Sequence, residues 1–135
     1  MIIGIGLDLV DIARVQKLVA AKGERALRRL FSPRESAYAA TKQRPFLHLA
    51  ARVAAKEAAF KALSAADGAR GIGWREMEVV TGADGRPSLA LHGRAAECAA
   101  KLGVSRVHLT LSHSETTAGA VVILERGAPS GHERN

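Results

Sequence analysis

Apolar residues first recur at every second position. Over residues 2–10, Ile3, Ile5, Leu7 and Leu9 fall on one face and Gly4, Gly6 and Asp8 on the other. That period predicts a strand. One face then carries a single carboxylate on ground otherwise cleared of side chains. The glycines leave room for a group close to the backbone, or for tight strand or helix packing with Asp8 facing water near the strand end. After Asp11, a plausible N-cap, the period changes. Ile12, Val15, Leu18 and Val19 give the next segment a helical apolar face that ends near Gly23, and ERALRRLF continues as a second helical piece. Ser32-Pro33-Arg34-Glu35 has the form of a capping box and opens a third helix, with Glu35 as the capping acid. Gln43-Arg44-Pro45 breaks that helix.

The strongest helical stretch is Leu49 to Leu63, LAARVAAKEAAFKAL. It is built mostly from good helix formers and has no Gly or Pro. Leu49, Val53, Phe60 and Leu63 share one face, which predicts a buried stripe. Lys56 lies inside that stripe and Arg52 borders it, while Glu57 and Lys61 form a column four residues apart on one flank. Two readings fit. Lys56 snorkels and Glu57–Lys61 is a surface pair, or the helix carries a half-buried charged cluster that holds an anion and a metal.

Beyond Leu63 comes a Gly-rich loop, SAADGARGIGW, without a Walker-type pattern. Glu76–Thr81 and Pro87–His92 read as strands joined through Asp84-Gly85. Arg94–Leu102 reads as a short helix ending at Gly103. Arg106–Ser112, with Val107, Leu109 and Leu111 inward, and Ala118–Glu125 form a second strand pair around the turn His113–Thr117. Helices and strands that do not alternate regularly, with two hairpins, predict an α+β fold: a mainly antiparallel sheet packed against a long central helix. Residues 1–126 are expected to form one domain and 127–135 a frayed, flexible tail.

Composition narrows the function classes. Apolar residues are 47% of the 135 and no apolar run reaches membrane-spanning length, so a globular, non-membrane protein is expected. The apolar start is too short for a signal peptide and contains Asp8, and Cys98 is the one cysteine, which excludes an internal disulfide and a cysteine-based zinc site. A cytoplasmic location follows as an expectation. The net charge of +7 points to an anionic partner: nucleic acid, a phosphate-rich small molecule or an acidic protein. Scattered aromatics argue against single-strand stacking platforms, which leaves a small basic RNA-binding domain as the binding-module alternative.

Asp8 and Glu57 offer two carboxylates from a strand and a helix. Such a pair suits Mg²⁺, which prefers oxygen ligands and keeps places for water and substrate phosphates. Arg52, Lys56 and Lys61 on the same helix could hold those phosphates, a constellation fit for phosphoryl chemistry. A metal-dependent phosphoester hydrolase fits it too. Ser112, His113 and Ser114 lie at a strand end and turn, where adjacent strand residues point to opposite faces and cannot pair directly as nucleophile and base. Ser114 reads as a turn cap with a surface His113, or the two as phosphate contacts.

Two stretches, IGIGLDLVDIARV and RVAAKEAAFKAL, resemble the signatures of the holo-acyl-carrier-protein synthases, the small 4′-phosphopantetheinyl transferases of fatty-acid synthesis. The resemblance extends through FSPRESAY, the Asp-Gly-Arg-Pro hairpin, KLGV and HLTLSHSETTAGAVVILE. It implies transfer of the phosphopantetheine arm of coenzyme A to a serine of apo acyl carrier protein, with release of adenosine 3′,5′-bisphosphate. It further implies that Asp8 and Glu57 bind Mg²⁺, that Glu57 is the base for the serine hydroxyl, directly or through water, and that Lys61 neutralises the leaving phosphate. Arg52, with His113 and Ser114 of another subunit, would bind the 3′-phosphate side of coenzyme A. Lys56 belongs to the same motif and would add a cofactor contact. Arg14, Arg25 and Arg29 would dock the acidic carrier, which accounts for the positive charge without nucleic acid. A homotrimer with sites between subunits is implied as well. Val10 stands where the two-repeat transferases of the superfamily carry a third metal acid, which favours the small type. The loop after Leu63 departs from the family's Gly-Thr-Gly turn, so no contacts are carried over to it.

Overall fold

In the computed structural model, which describes residues 1–127, the expected strand forms first: β1 spans Ile2–Asp11. Three helices follow, α1 (Ile12–Lys22), α2 (Glu24–Leu30) and α3 (Pro33–Ala40), then the long α4 (Pro45–Leu63). Two single turns, Ala69–Gly71 and Trp74–Glu76, lead to β2 (Met77–Thr81), β3 (Pro87–Leu91), α5 (Gly93–Leu102), β4 (Arg106–His113) and β5 (Thr117–Glu125). The expected tail, apart from Gly127, lies outside the described residues. Among the described residues no helix is long and apolar enough to cross a membrane.

The strands form two antiparallel sheets, β1-β5-β4 and the hairpin β2-β3. This is the α+β architecture that the pattern predicts. Central β5 alternates: Ala118, Ala120, Val122 and Leu124 are buried, facing the helix layer. Val107, Leu109 and Leu111 of β4 pack against the same core. The β2-β3 turn uses Gly85 at φ +85°, a conformation that a side chain would strain.

Helix α4 begins at Pro45, in the first turn where a missing N–H costs nothing, four residues before the start that apolar spacing suggests. It is also buried almost all round, with 13 of its 19 residues inside, rather than along one stripe. Seven of the 13 are alanines, which let neighbouring elements approach it from several sides. The closest is β1. A Cβ on Gly4 or Gly6 would overlap the carbonyl of Ala62 or Ala58, so strand backbone lies directly on helix backbone. The glycines therefore serve close packing, and the glycine face of β1 is its inner face. Asp8, next along that face, does not look out to water: its side chain is only 14% exposed. The opposite face leaves Ile5, Leu7 and Leu9 at 60%, 57% and 67% exposure.

The capping box at α3 is present in full: Ser32 Oγ accepts from Glu35 N, and Glu35 Oε1 accepts from Ser32 N. Asp11 does not cap α1 with its side chain; its Oδ1 accepts from Thr117 Oγ1 at 3.4 Å.

Candidate active site

Asp8 and Glu57 meet because β1 lies on α4. Gly6 clears the way against Ala58, and Asp8, two residues further along the same face, then reaches the flank that carries Glu57 and Lys61. Lys61 Nζ donates to Asp8 Oδ1 at 2.9 Å and to the Leu7 carbonyl at 3.0 Å. Arg14 of α1 brings Nη2 to 3.8 Å from Glu57 Oε1. Burial opposes ionisation of Asp8, but hydrogen bonding with Glu57 and the Lys61 and Arg14 charges outweigh it, so its carboxyl is held below the ordinary value. Glu57 moves the other way. Burial, the hydrogen bond to Asp8 and the Asp8 charge push it up to about 7.

With both acids ionised, Asp8 Oδ2 is buried and has no hydrogen-bond donor. A proton kept on Glu57 supplies one. A hard divalent cation would satisfy that oxygen instead by coordination, and the ligand set fits one: two carboxylates of unequal proton affinity, with one buried oxygen left over. Among the described residues no group of three or more His, Cys, Asp or Glu is gathered to hold a metal, so Asp8 and Glu57 would be the protein's carboxylate ligands.

Arg52 and His113 come together in a different cavity, about 220 Å³, beside Tyr38, His48, Thr81 and Pro87. The Arg52 guanidinium is stacked 4.4 Å from the Tyr38 ring centre and donates to Thr81 Oγ1 at 2.9 Å. Burial pulls its pKa down, against the opposing charge of Glu35, and its Nε is buried without a partner. Tyr38 and Thr81 are site residues that sequence reasoning missed. The only signal for Tyr38 was its place in FSPRESAY; Thr81 left none, because the contact depends on how β2 packs. Ser114 is not brought to this cavity. Its hydroxyl accepts from Thr117 N at 3.2 Å and from Thr116 N at 3.4 Å, the turn-capping arrangement.

Lys56 is corrected. It was expected to contact coenzyme A, but its ammonium is fully buried and its three hydrogens are spent. They go to Glu35 Oε1 (2.8 Å), the Trp74 carbonyl (2.9 Å) and the Met77 carbonyl (2.7 Å), and none remains for a phosphate. Glu35 in turn does more than cap: its Oε2 accepts from Val79 N at 2.9 Å. A buried lysine needs such a partner, and the sequence could not show that a capping acid 21 residues upstream would provide it.

Arg25 and Arg29 line a groove of about 850 Å³ with Lys22, the apolar Leu18, Ala21, Ala26 and Leu30, and Trp74. Arg14 is not among the groove's residues; it stands at Glu57, 67% exposed.

Residues 4–122 match the family described as the 4′-phosphopantetheinyl transferase superfamily. A holo-[acyl-carrier-protein] synthase of Anaeromyxobacter sp. (strain K) is 50% identical over 132 residues, covering 96% of this chain and all of that one. The structure of the Mycobacterium tuberculosis acyl carrier protein synthase superposes with a TM-score of 0.71 at 38% identity, over 94% of this chain and 100% of that one. A holo-(acyl-carrier-protein) synthase from Bacillus anthracis, solved in complex with CoA (3′,5′-ADP), gives 0.75 at 29% identity, over 94% and 99%. Motif and architecture thus agree with full-length likeness, and the chain belongs to the 4′-phosphopantetheinyl transferase superfamily, among the holo-[acyl-carrier-protein] synthases.

Proposed function

We propose that this enzyme transfers the 4′-phosphopantetheine group of coenzyme A to a serine of apo acyl carrier protein, with Mg²⁺, in fatty-acid synthesis in the cytoplasm. The observation that carries this reading is the buried, donorless Asp8 Oδ2 facing a carboxyl with a pKa of about 7. Asp8 and Glu57 would hold Mg²⁺, which when bound draws charge from the diphosphate of coenzyme A. Ionised Glu57 takes the proton of the carrier serine as its oxygen attacks the pantetheine-side phosphorus. The bond from that phosphorus to the bridging oxygen breaks, and adenosine 3′,5′-bisphosphate leaves. Lys61 uses two donors on Asp8 and Leu7 and is 55% exposed, so its third hydrogen is free for the leaving phosphate. Arg52 and His113 line a cavity suited to the 3′-phosphate, with the Arg52 charge already oriented by Tyr38 and Thr81. His113 and Arg52 line this cavity within one chain; Ser114 would contribute only across a subunit boundary.

The groove of Lys22, Arg25 and Arg29 fits an acidic carrier surface, and Arg14 extends the basic ground to Glu57 itself. The exposed Ile5, Leu7 and Leu9 supply an apolar face for a homotrimer. Incubating apo carrier with coenzyme A, Mg²⁺ and the enzyme should add one phosphopantetheine mass to the carrier and release an equal amount of adenosine 3′,5′-bisphosphate. Coenzyme A cleaved without carrier would instead identify a hydrolase, and an unmodified carrier would refute the proposal.

A further inference from the structure

Lys56 does not touch the acids, yet two of its three hydrogen bonds go to backbone carbonyls at the ends of one short segment, Trp74 and Met77. This segment begins with the single turn Trp74–Glu76, which is held on its other side by Glu76 Oε1 accepting from Gly73 N and Ala95 N, each at 3.3 Å. Those bonds tie the turn to itself and to α5. Lys56 ties it to α4, the helix that carries Glu57. The third bond, to Glu35, fixes the ammonium from the far side, because Glu35 is itself bound to Ser32 N and Val79 N.

The turn has a position that makes this tie consequential. Trp74 is half-buried and lines two spaces at once. One is the basic groove of Lys22, Arg25 and Arg29. The other is a cavity of about 190 Å³ bounded by Lys56 itself, Glu57, Phe60, Ile72 and Met77. Trp74 is therefore the wall shared by the groove and the space beside Glu57.

We infer that Lys56 is a positioning residue: its ammonium, locked by Glu35, fixes the Trp74 wall so that a carrier seated in the groove presents its serine to Glu57. The inference rests on the proposed transfer reaction. It assigns to Lys56 a part on the carrier side of the site, while Arg52 and His113 serve the coenzyme A side. An apolar residue of similar length could fill the space but could not hold two carbonyls, and a buried carboxylate without its cation would remain.

Trp74 is the sole tryptophan of the chain, so its fluorescence reports the wall directly. Lys56→Met should make Trp74 more accessible to acrylamide and raise KM for apo carrier about tenfold, because the ammonium's three hydrogen bonds, two of them to the Trp74 segment, are lost together. KM for coenzyme A should hold within about twofold, since the Arg52 cavity is lined by other residues. Glu35→Gln, which removes the charge and replaces one of the two acceptor oxygens used by Lys56, Ser32 N and Val79 N with an N–H donor, should shift both readouts the same way, and it carries the test if Lys56→Met does not fold. A purely structural role would lower Tm and leave the carrier-to-coenzyme KM ratio at the wild-type value. Trp74 quenching unchanged in the folded variant, or equal rises in both KM values, would overturn the inference. If the wild-type enzyme itself transfers nothing, the reaction is wrong, and the quenching comparison still decides whether Lys56 holds the wall.

Discussion

Glu57 has the environment of a base near neutral pH, and its neighbours set that value. Against the effect of burial, the Asp8 carboxyl is held below its ordinary value by its hydrogen bond with Glu57 and by Lys61, so Glu57, half-buried and beside that negative charge, keeps its proton to about 7. Glu57→Gln preserves the shape and removes the base, and should lower kcat by about 10²–10⁴-fold, with little change in Tm below pH 4.5, where Glu57 is itself protonated; a rate within a few-fold of wild type would remove Glu57 from the chemistry. The same shift makes a statement about stability. Between 4.5, the ordinary value, and about 7 the folded chain holds a proton that the unfolded chain has released. Stability of the metal-free protein should therefore be greatest below 4.5 as far as this group is concerned, and fall as pH rises through 7. Thermal unfolding in the presence of a chelator should show this decline, and Glu57→Gln should flatten it over the same window. Mg²⁺ should oppose the decline at the upper end, because it binds the carboxylate form.

At the scale of elements the site depends on how near β1 can come to α4. The strand backbone rests on the Ala58 and Ala62 carbonyls, and no soft side chain intervenes to give way. Gly6→Ala should therefore destabilise the fold by about 3 kcal/mol or more in a denaturant titration, at the upper end of overpacking costs. Any folded fraction should bind metal weakly, since Asp8 moves with the strand. Gly6→Ala with wild-type stability would mean that the strand does not lie so close. These elements show what a sequence can and cannot disclose. Period two in IIGIGLDLV and the cleared face pointed to β1 and to Asp8 as its one functional group. They did not say which face was inner, because hydrophobicity marks Ile5, Leu7 and Leu9 as core and they are exposed. The helical stretch around Val53 and Phe60 was legible, but an alanine-rich helix buried on several sides looks amphipathic when only its large residues are counted. The local capping box at Ser32 was readable from four letters; the Glu35–Lys56 pair is a tertiary contact, and no local pattern records it.

The whole molecule presents two surfaces of opposite character, and each has a partner in the proposed reaction. The cations of α1 and α2 carry much of the excess that gives the chain a net charge of +7. Arg25→Glu with Arg29→Glu should raise KM for the carrier, weaken its dependence on ionic strength, and leave KM for coenzyme A unchanged; equal effects on both substrates would argue against docking in the groove. The other surface is the outer face of β1. Ile5, Leu7 and Leu9 are large, more than half exposed and spaced two apart, so they form one continuous apolar strip. A soluble monomer rarely leaves such a strip uncovered, whereas a symmetric assembly buries it once per subunit. The strip lies on the reverse of the strand that holds Asp8, so assembly would stiffen β1 from behind without covering the acids. Sedimentation equilibrium should then find a trimer for the wild-type chain. Leu7→Glu with Leu9→Glu, which places two charges at exposed positions of the strip, should give a monomer that remains folded by circular dichroism. A wild-type monomer, or a trimer that survives both substitutions, would show that the strip is not the assembly face.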